Sequence, residues 1–264
     1  MPGPQLLAWG ALVMLALILA AWALMLRTGN AAWVDVAWGF GMGALALLFA
    51  ALGPGWRPRR ELVGLLGGLW GLRLGLHLAL RTAAEAREDA RYTRLRQAWG
   101  GNIPLKFLGF FLCQGLLDLA LAWPFLAACL DTGARLPGVA WAGAVLWALA
   151  LAGEALADAQ LRRFKAEPAS RGRVCASGLW RLSRHPNYFF QWCAWVGCFL
   201  VALPGPLGWT TAGSPLLILF FLLRVTGIPA TEEQAVSSRG EAYRRYQQTT
   251  SAFIPWFPRR LPDA

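Results

Sequence analysis

Seven long apolar runs constrain this chain more than any other feature. They cover residues 6–26, 31–51, 62–80, 107–130, 139–157, 188–203 and 210–228. A helix that crosses a bilayer needs about 20 mostly apolar residues, and all but the short sixth run come close to or exceed that length. The runs predict an all-α, polytopic membrane protein with seven transmembrane helices, forming a single integral membrane domain over residues 1–264. The first run carries no charge. It lacks the basic start and small-residue cleavage site of a signal peptide, so it is read as a span. Pro204, Gly205, Pro206 and Gly208 punctuate the turn between the last two runs, which also fit a shallow hairpin.

Composition agrees. The chain is 57% hydrophobic and 15% charged, with a mean hydropathy of +0.44. Soluble domains carry about 45–50% apolar and about 25% charged residues. Disorder, a collagen-like repeat and an ordinary soluble enzyme are excluded. The five cysteines are scattered without a C-x-x-C pair, and there are only two histidines. No disulfide framework and no metal site is expected.

Charge then sets an expected orientation. With the N-terminus outside, twenty of the 25 Lys and Arg residues fall on the inner side. The outer side holds only Arg57, Arg59, Arg60 and Arg135. The positive-inside rule therefore predicts an external N-terminus and a cytosolic C-terminus. It also explains the net charge of +11 without nucleic acid as a partner.

Charges within the runs are costly and usually functional. Trp70, Arg73 and His77 are spaced i, i+3, i+7 and share one helix face. Gln114 and Asp118 lie four apart on another helix, and Glu154 and Asp158 four apart on a third. With Asp35 they predict a polar pocket between helices. The plainer alternative is a set of interhelical ion pairs, such as Asp35 with Arg73. Transport is less favoured, because neither repeated halves nor matching broken helices are visible.

Residues 136–264 carry the richest inner-side polar segments: Asp158, Gln160, Lys165, Arg171 and Arg173, then Arg184, His185, Pro186, Asn187 and Tyr188, then Arg224, Glu232, Glu233, Tyr243 and Tyr246. Arginine and lysine bind phosphates, and amides and carboxylates pair with hydroxyls and amides. Aromatic rings offer stacking faces. This menu suits a nucleotide-type ligand, although no G-x-G-x-x-G or Walker sequence is present. A solvated basic face for anionic lipid heads is the alternative.

At Ser183-Arg-His-Pro-Asn-Tyr188 the chain resembles the steroid 5-alpha-reductase family, in its bacterial membrane branch. The resemblance covers most of the chain. It is carried by Ala157-Asp-Ala-Gln160, Phe164-Lys165, Gly178-Leu-Trp180, Arg184 to Tyr188 and the closing Thr250-Ser-Ala-Phe-Ile-Pro-Trp256. Val34-Asp35, Trp70-Gly-Leu-Arg73 and Asp89-Ala-Arg91-Tyr92 add to it. Sterol C14-reductases and isoprenylcysteine carboxyl methyltransferases look similar at the Arg-His-Pro-Asn-Tyr run. The resemblance implies NADPH held by residues 136–264, at Asp158, Lys165, Arg173, Asn187 and Arg224, with Glu154, His185, Tyr188, Glu233 and Tyr246 around it. It implies a steroid-like enone entering from the bilayer among helices of residues 1–135, where His77, Gln114 and Asp118 of the expected polar pocket are the candidate substrate contacts. It also implies a bacterial inner-membrane protein with its cofactor side facing the cytoplasm. Glu154 and Gln191 depart from the family's residues at their positions, and Trp70 stands where animal members have a tyrosine.

Conjugate reduction builds negative charge on a carbonyl oxygen and needs a donor aimed there in a dry site. Asp35 with Trp70 as one unit, and Arg73 as a positioning residue, are the expected catalytic group. The alternative enzyme is a membrane methyltransferase using S-adenosylmethionine. No feature points to an obligate protein partner.

Overall fold

The computed structural model describes residues 1–84 and 88–259. Arg87 and Arg260, counted above among the inner basic residues, lie outside them. Regular structure among the described residues is helical. The α-helices are α1 (Gly3–Thr28), α2 (Trp33–Leu52), α3 (Arg57–Ala84), α4 (Ala90–Ala98), α5 (Ile103–Leu121), α6 (Trp123–Leu130), α7 (Gly138–Ala166), α8 (Pro186–Ala202), α9 (Gly213–Phe220), α10 (Ile228–Arg239) and α11 (Glu241–Thr249). Six segments are long and apolar enough to cross a membrane: Gly3–Thr28, Trp33–Leu52, Arg57–Ala84, Ile103–Leu130, Gly138–Ala166 and Gly208–Arg239. The protein thus has the build of an all-helical, polytopic membrane protein. At 17 residues, α8 falls short of the usual span length.

The helix ends follow local chemistry. Gly29 closes α1 in the left-handed conformation, with its N–H on the Met25 carbonyl, which only glycine adopts without strain. Asp89 caps α4 and Asn102 caps α5 through their side-chain oxygens. The fourth apolar run is interrupted at Ala122, just before Pro124. Proline cannot donate to the preceding turn and is tolerated only at a helix start. The last run is interrupted as well. It is a 3₁₀ turn over Gly208–Ala212, then α9, then a π-helical turn over Phe221–Val225, and α10 begins at Ile228 beside Pro229.

The chain divides into two compact units, residues 1–141 with 198–214, and residues 142–197 with 215–264. In the first unit α1 buries a single stripe, Leu6, Gly10, Met14, Ile18, Ala21 and Met25, while Leu12, Leu15 and Leu19 on its other faces stay exposed. A helix apolar all round with one buried stripe is built to face hydrocarbon on the remainder. In the second unit α7 and α8 touch through glycines. A Cβ on Gly197 would lie 2.8 Å from the Gly143 carbonyl, and one on Gly153 would lie 2.5 Å from the Phe190 ring.

In the first unit α2 and α3 make an extensive helix contact, and it too is made by glycines. A Cβ on Gly39 would lie 2.7 Å from the Gly75 nitrogen, and one on Gly43 would lie 3.1 Å from the Gly71 Cα. Small residues let membrane helices approach backbone to backbone. Gly71→Ala places its methyl against the Gly43 backbone. We expect it to cost about 1–3 kcal/mol by overpacking, seen as a lower unfolding midpoint in detergent. Gly109→Ala on α5, where nothing lies within 4 Å, is the control and should be neutral or slightly stabilising.

Candidate functional site

In the first unit the polar centre is Asp35, in the first turn of α2. The Tyr92 hydroxyl donates to its Oδ1 at 2.6 Å and Arg91 Nη2 donates to its Oδ2 at 2.9 Å. Arg81 Nη2 stands 3.9 Å away. Arg91 also holds Asp89. Glu88 completes the group by accepting from the Ala31 N–H at 2.8 Å and pairing with Arg96. A carboxylate on unsatisfied N–H groups at a helix start is favourable. Burial pushes the Asp89 carboxyl upward, but the Arg91 hydrogen bond and charge outweigh it and hold it below the usual range. Its contribution to stability is thus present above the unfolded carboxylate value of about 3.9 and is lost as pH falls through the lower folded value. Burial, reinforced by the Asp35 charge, raises the Tyr92 phenol well above its ordinary value and keeps it protonated.

Asp35 is expected to act with Trp70 and Arg73, and the hydrogen bonds described for it come from Tyr92 and Arg91. Trp70 is buried, with its ring edge-on to Trp38 at 6.0 Å. Arg73 and His77 are half-buried on the same helix, and Gln114 is half-buried on α5. Asp118 is fully buried. Neither of its carboxylate oxygens has a hydrogen-bond partner among the described residues, and Oδ2 lies 3.6 Å from where a Gly41 Cβ would be.

The second unit gathers the other set. Glu154 and Asp158 are buried on α7. Asn187 Nδ2 donates to Asp158 Oδ1 at 3.4 Å, whereas Asn187 Oδ1 is buried without a partner. Gln160 Oε1 accepts from the Leu179 N–H at 2.9 Å. Gly178 has a positive φ of 57° and lies so close to Gln160 that a Cβ would stand 2.6 Å from its amide. Only glycine meets both demands. Trp180 Nε1 donates to the Ala157 carbonyl at 2.9 Å, fixing the turn to α7.

Glu232 on α10 is the hub of this unit. Its Oε1 takes Arg184 Nε at 2.6 Å and lies 3.2 Å from His185 Nε2, and its Oε2 accepts from Gln247 at 2.8 Å. The His185 ring stacks on Tyr188 at 5.3 Å, and the Tyr188 hydroxyl meets Thr231 at 3.1 Å. Tyr246, expected at the cofactor, turns its hydroxyl to the carbonyls of Trp180 and Ser183. Burial raises its phenol above the ordinary value and pushes that of Tyr243 up to about 12. Tyr246 thereby acts as a brace between α11 and the loop ahead of α8. The closing segment lies on the same loop, through a parallel bridge between Ser183 and Ser251 and a Trp256 N–H to Leu182 bond.

The expected phosphate-binding side chains Lys165, Arg173 and Arg224 are exposed, as is Glu233. Arg224 lies on the π-helical turn, a distortion frequent at functional sites. No group of three or more potential metal ligands forms among the described residues. Glu232, Arg91 and Tyr92 stand in segments that the sequence marks as polar, but their partners Arg184, His185 and Asp35 are not legible there.

The family described as "Protein of unknown function (DUF1295)" matches residues 21–250. An uncharacterized protein of Schizosaccharomyces pombe is 28% identical over 262 residues, covering 89% of this chain and 75% of the relative. No solved structure matches the chain.

Proposed function

Because the chain belongs to the DUF1295 family, whose function is unknown, its activity has to be read from its own residues, and we propose that it is an NADPH-dependent reductase of 3-oxo-4-ene steroids or similar lipophilic enones. In this reading it is a seven-helix protein of the steroid 5-alpha-reductase type, in a bacterial inner membrane with its cofactor side facing the cytoplasm. The observation that carries the reading is Asn187. Its Nδ2 is engaged by Asp158 while its Oδ1 is buried and unpartnered. A buried acceptor left unmet costs about 1–3 kcal/mol, and an N–H or O–H of a bound ligand removes that cost. The sequence resemblance at Asp158, Lys165 and Arg184 to Tyr188 supports the same assignment.

The residues fit NADPH. Lys165, Arg173 and Arg224 are the cations for its phosphates, Asn187 and Asp158 pair with its amide or hydroxyl groups, and Glu154 and Glu233 are further polar contacts. When bound, NADPH would supply a hydride to the beta carbon of the enone, with a proton delivered to the alpha carbon to complete the reduction. The rest falls to the chain. Glu232 holds Arg184 and His185 in place, and His185 fixes the Tyr188 ring by stacking. On the substrate side Trp70 carries the N–H donor suited to the carbonyl oxygen, Arg73 is a positioning residue, and His77, Gln114 and Asp118 are the polar contacts. Asp35, engaged by Tyr92 and Arg91, is assigned as a positioning residue.

The test uses the protein purified in detergent with NADPH and progesterone, following loss of the reduced nicotinamide absorbance. Progesterone-dependent oxidation with a 5-alpha product is expected. Absence of both oxidation and NADPH binding, together with binding of S-adenosylmethionine, would overturn the reading in favour of methyl transfer. Within the reading, Arg173→Gln should raise KM for NADPH about tenfold, the value of one charge-assisted hydrogen bond. It should leave kcat and the unfolding midpoint unchanged, because its side chain is exposed.

A further inference from the structure

A separate feature lies in the first unit, where the end of α2 meets the start of α3. A groove of about 430 Å³ is lined there by Leu47, Ala50, Arg57, Arg60, Glu61 and Leu65, with Gly64. This volume is in the range of small-molecule sites, about 300–1,000 Å³. Its floor is the close contact of Gly64 with Ala50, where a Cβ would stand 2.9 Å from the alanine methyl. Its walls, Leu47 and Leu65, are exposed by 54% and 59%. Its mouth is charged. Arg60 Nη1 donates to the Ala50 and Ala51 carbonyls at 2.8 and 3.3 Å, while its Nε is buried without a partner. Arg57 pairs with Glu61 at 2.6 Å, and both side chains are largely exposed.

Both helices are candidate membrane spans, and the groove sits at their ends. The apolar walls thus lie along the hydrocarbon-facing part of the helices and the arginines at the headgroup level. Two guanidiniums against one carboxylate leave one positive charge. We propose that this groove binds a phospholipid with one net negative charge, its acyl chain between Leu47 and Leu65 and its phosphate at Arg57 and Arg60. Arginine forks match phosphate oxygens, and the buried Arg60 Nε gains the acceptor it lacks. The occupant assigned is phosphatidylglycerol. The inference does not depend on the reductase reading.

Native mass spectrometry of the full chain in detergent, titrated with phosphatidylglycerol or phosphatidylcholine, tests it. One phosphatidylglycerol should bind in preference to phosphatidylcholine. Arg57→Gln should weaken that binding about fivefold, the effect of one arginine on an anionic lipid. Arg57 is exposed and pairs only with Glu61 among the described contacts, so folding is preserved, and an unchanged unfolding midpoint checks this. Glu61→Gln should act in the opposite direction and tighten binding, since it removes the competing carboxylate. Equal binding of the two lipids, or Arg57→Gln without effect, would overturn the assignment.

Discussion

Glu232→Ala is expected to destabilise the protein by about 3–5 kcal/mol, the range for removing one partner from a buried ion pair. Glu232 is the common acceptor for Arg184, His185 and Gln247. The Arg184 and His185 side chains are only 11% and 3% exposed. Without the carboxylate, the Arg184 charge is left with the carbonyls of Gln247 and Thr250. The loop from Trp180 to Tyr188, α10 and α11 then lose the group that ties them together. Glu232→Gln keeps an acceptor oxygen and should fall between alanine and the native residue. Glu241→Ala is the contrast, because its pair with Arg245 is 4.0 Å long and both side chains are exposed. Such surface pairs contribute about 0–1 kcal/mol. Thermal unfolding in detergent reads all three. A Glu232→Ala midpoint equal to that of Glu241→Ala would show that the hub does not hold the unit together.

The second large effect is expected at Asp35. Asp35→Ala leaves the Tyr92 hydroxyl buried without an acceptor and deprives Arg91 of one of its two carboxylates. A cost of about 3 kcal/mol follows from the lost charged hydrogen bonds. Tyr92→Phe removes one of those bonds and should cost about 1.5–3 kcal/mol. Enone turnover separates a positioning role from none. If Asp35 positions the substrate side, turnover falls in Asp35→Ala protein that is still folded, and Asp35→Asn recovers part of it. Full turnover in folded Asp35→Ala protein would remove Asp35 from the reaction and leave it as the clamp that fastens α4 to α2.

The clamp and the hub also mark how far the sequence reaches. Pairs on one helix are visible in it, because the helical period brings i and i+4 to one face. Glu154 and Asp158 were found in that way, and both are buried on α7. Yet Gln114 and Asp118, four apart, differ in outcome: Asp118 is fully buried and Gln114 only half-buried. Which flank of a shared face meets a neighbouring helix depends on how the helices pack. The hydrogen-bond donors Arg91 and Tyr92 lie 56 and 57 residues from Asp35, and Arg184 and His185 lie 48 and 47 residues from Glu232. No periodicity spans such distances, so these partners are not legible in the sequence, nor is the brace that the Tyr246 hydroxyl makes to the loop ahead of α8.

By itself the sequence determined the helical membrane architecture, because apolar runs near 20 residues satisfy every backbone group only as helices in hydrocarbon. Local chemistry sets several helix ends, at Gly29, Asn102 and Pro124, because caps and prolines act within one turn. Tertiary structure alone decided where the last run breaks into α9, a π-helical turn and α10. It alone decided that glycines set the α2–α3 contact, and which charges meet which. Those outcomes depend on the approach of segments far apart in the chain, where packing and burial choose among partners that are chemically equivalent in the sequence.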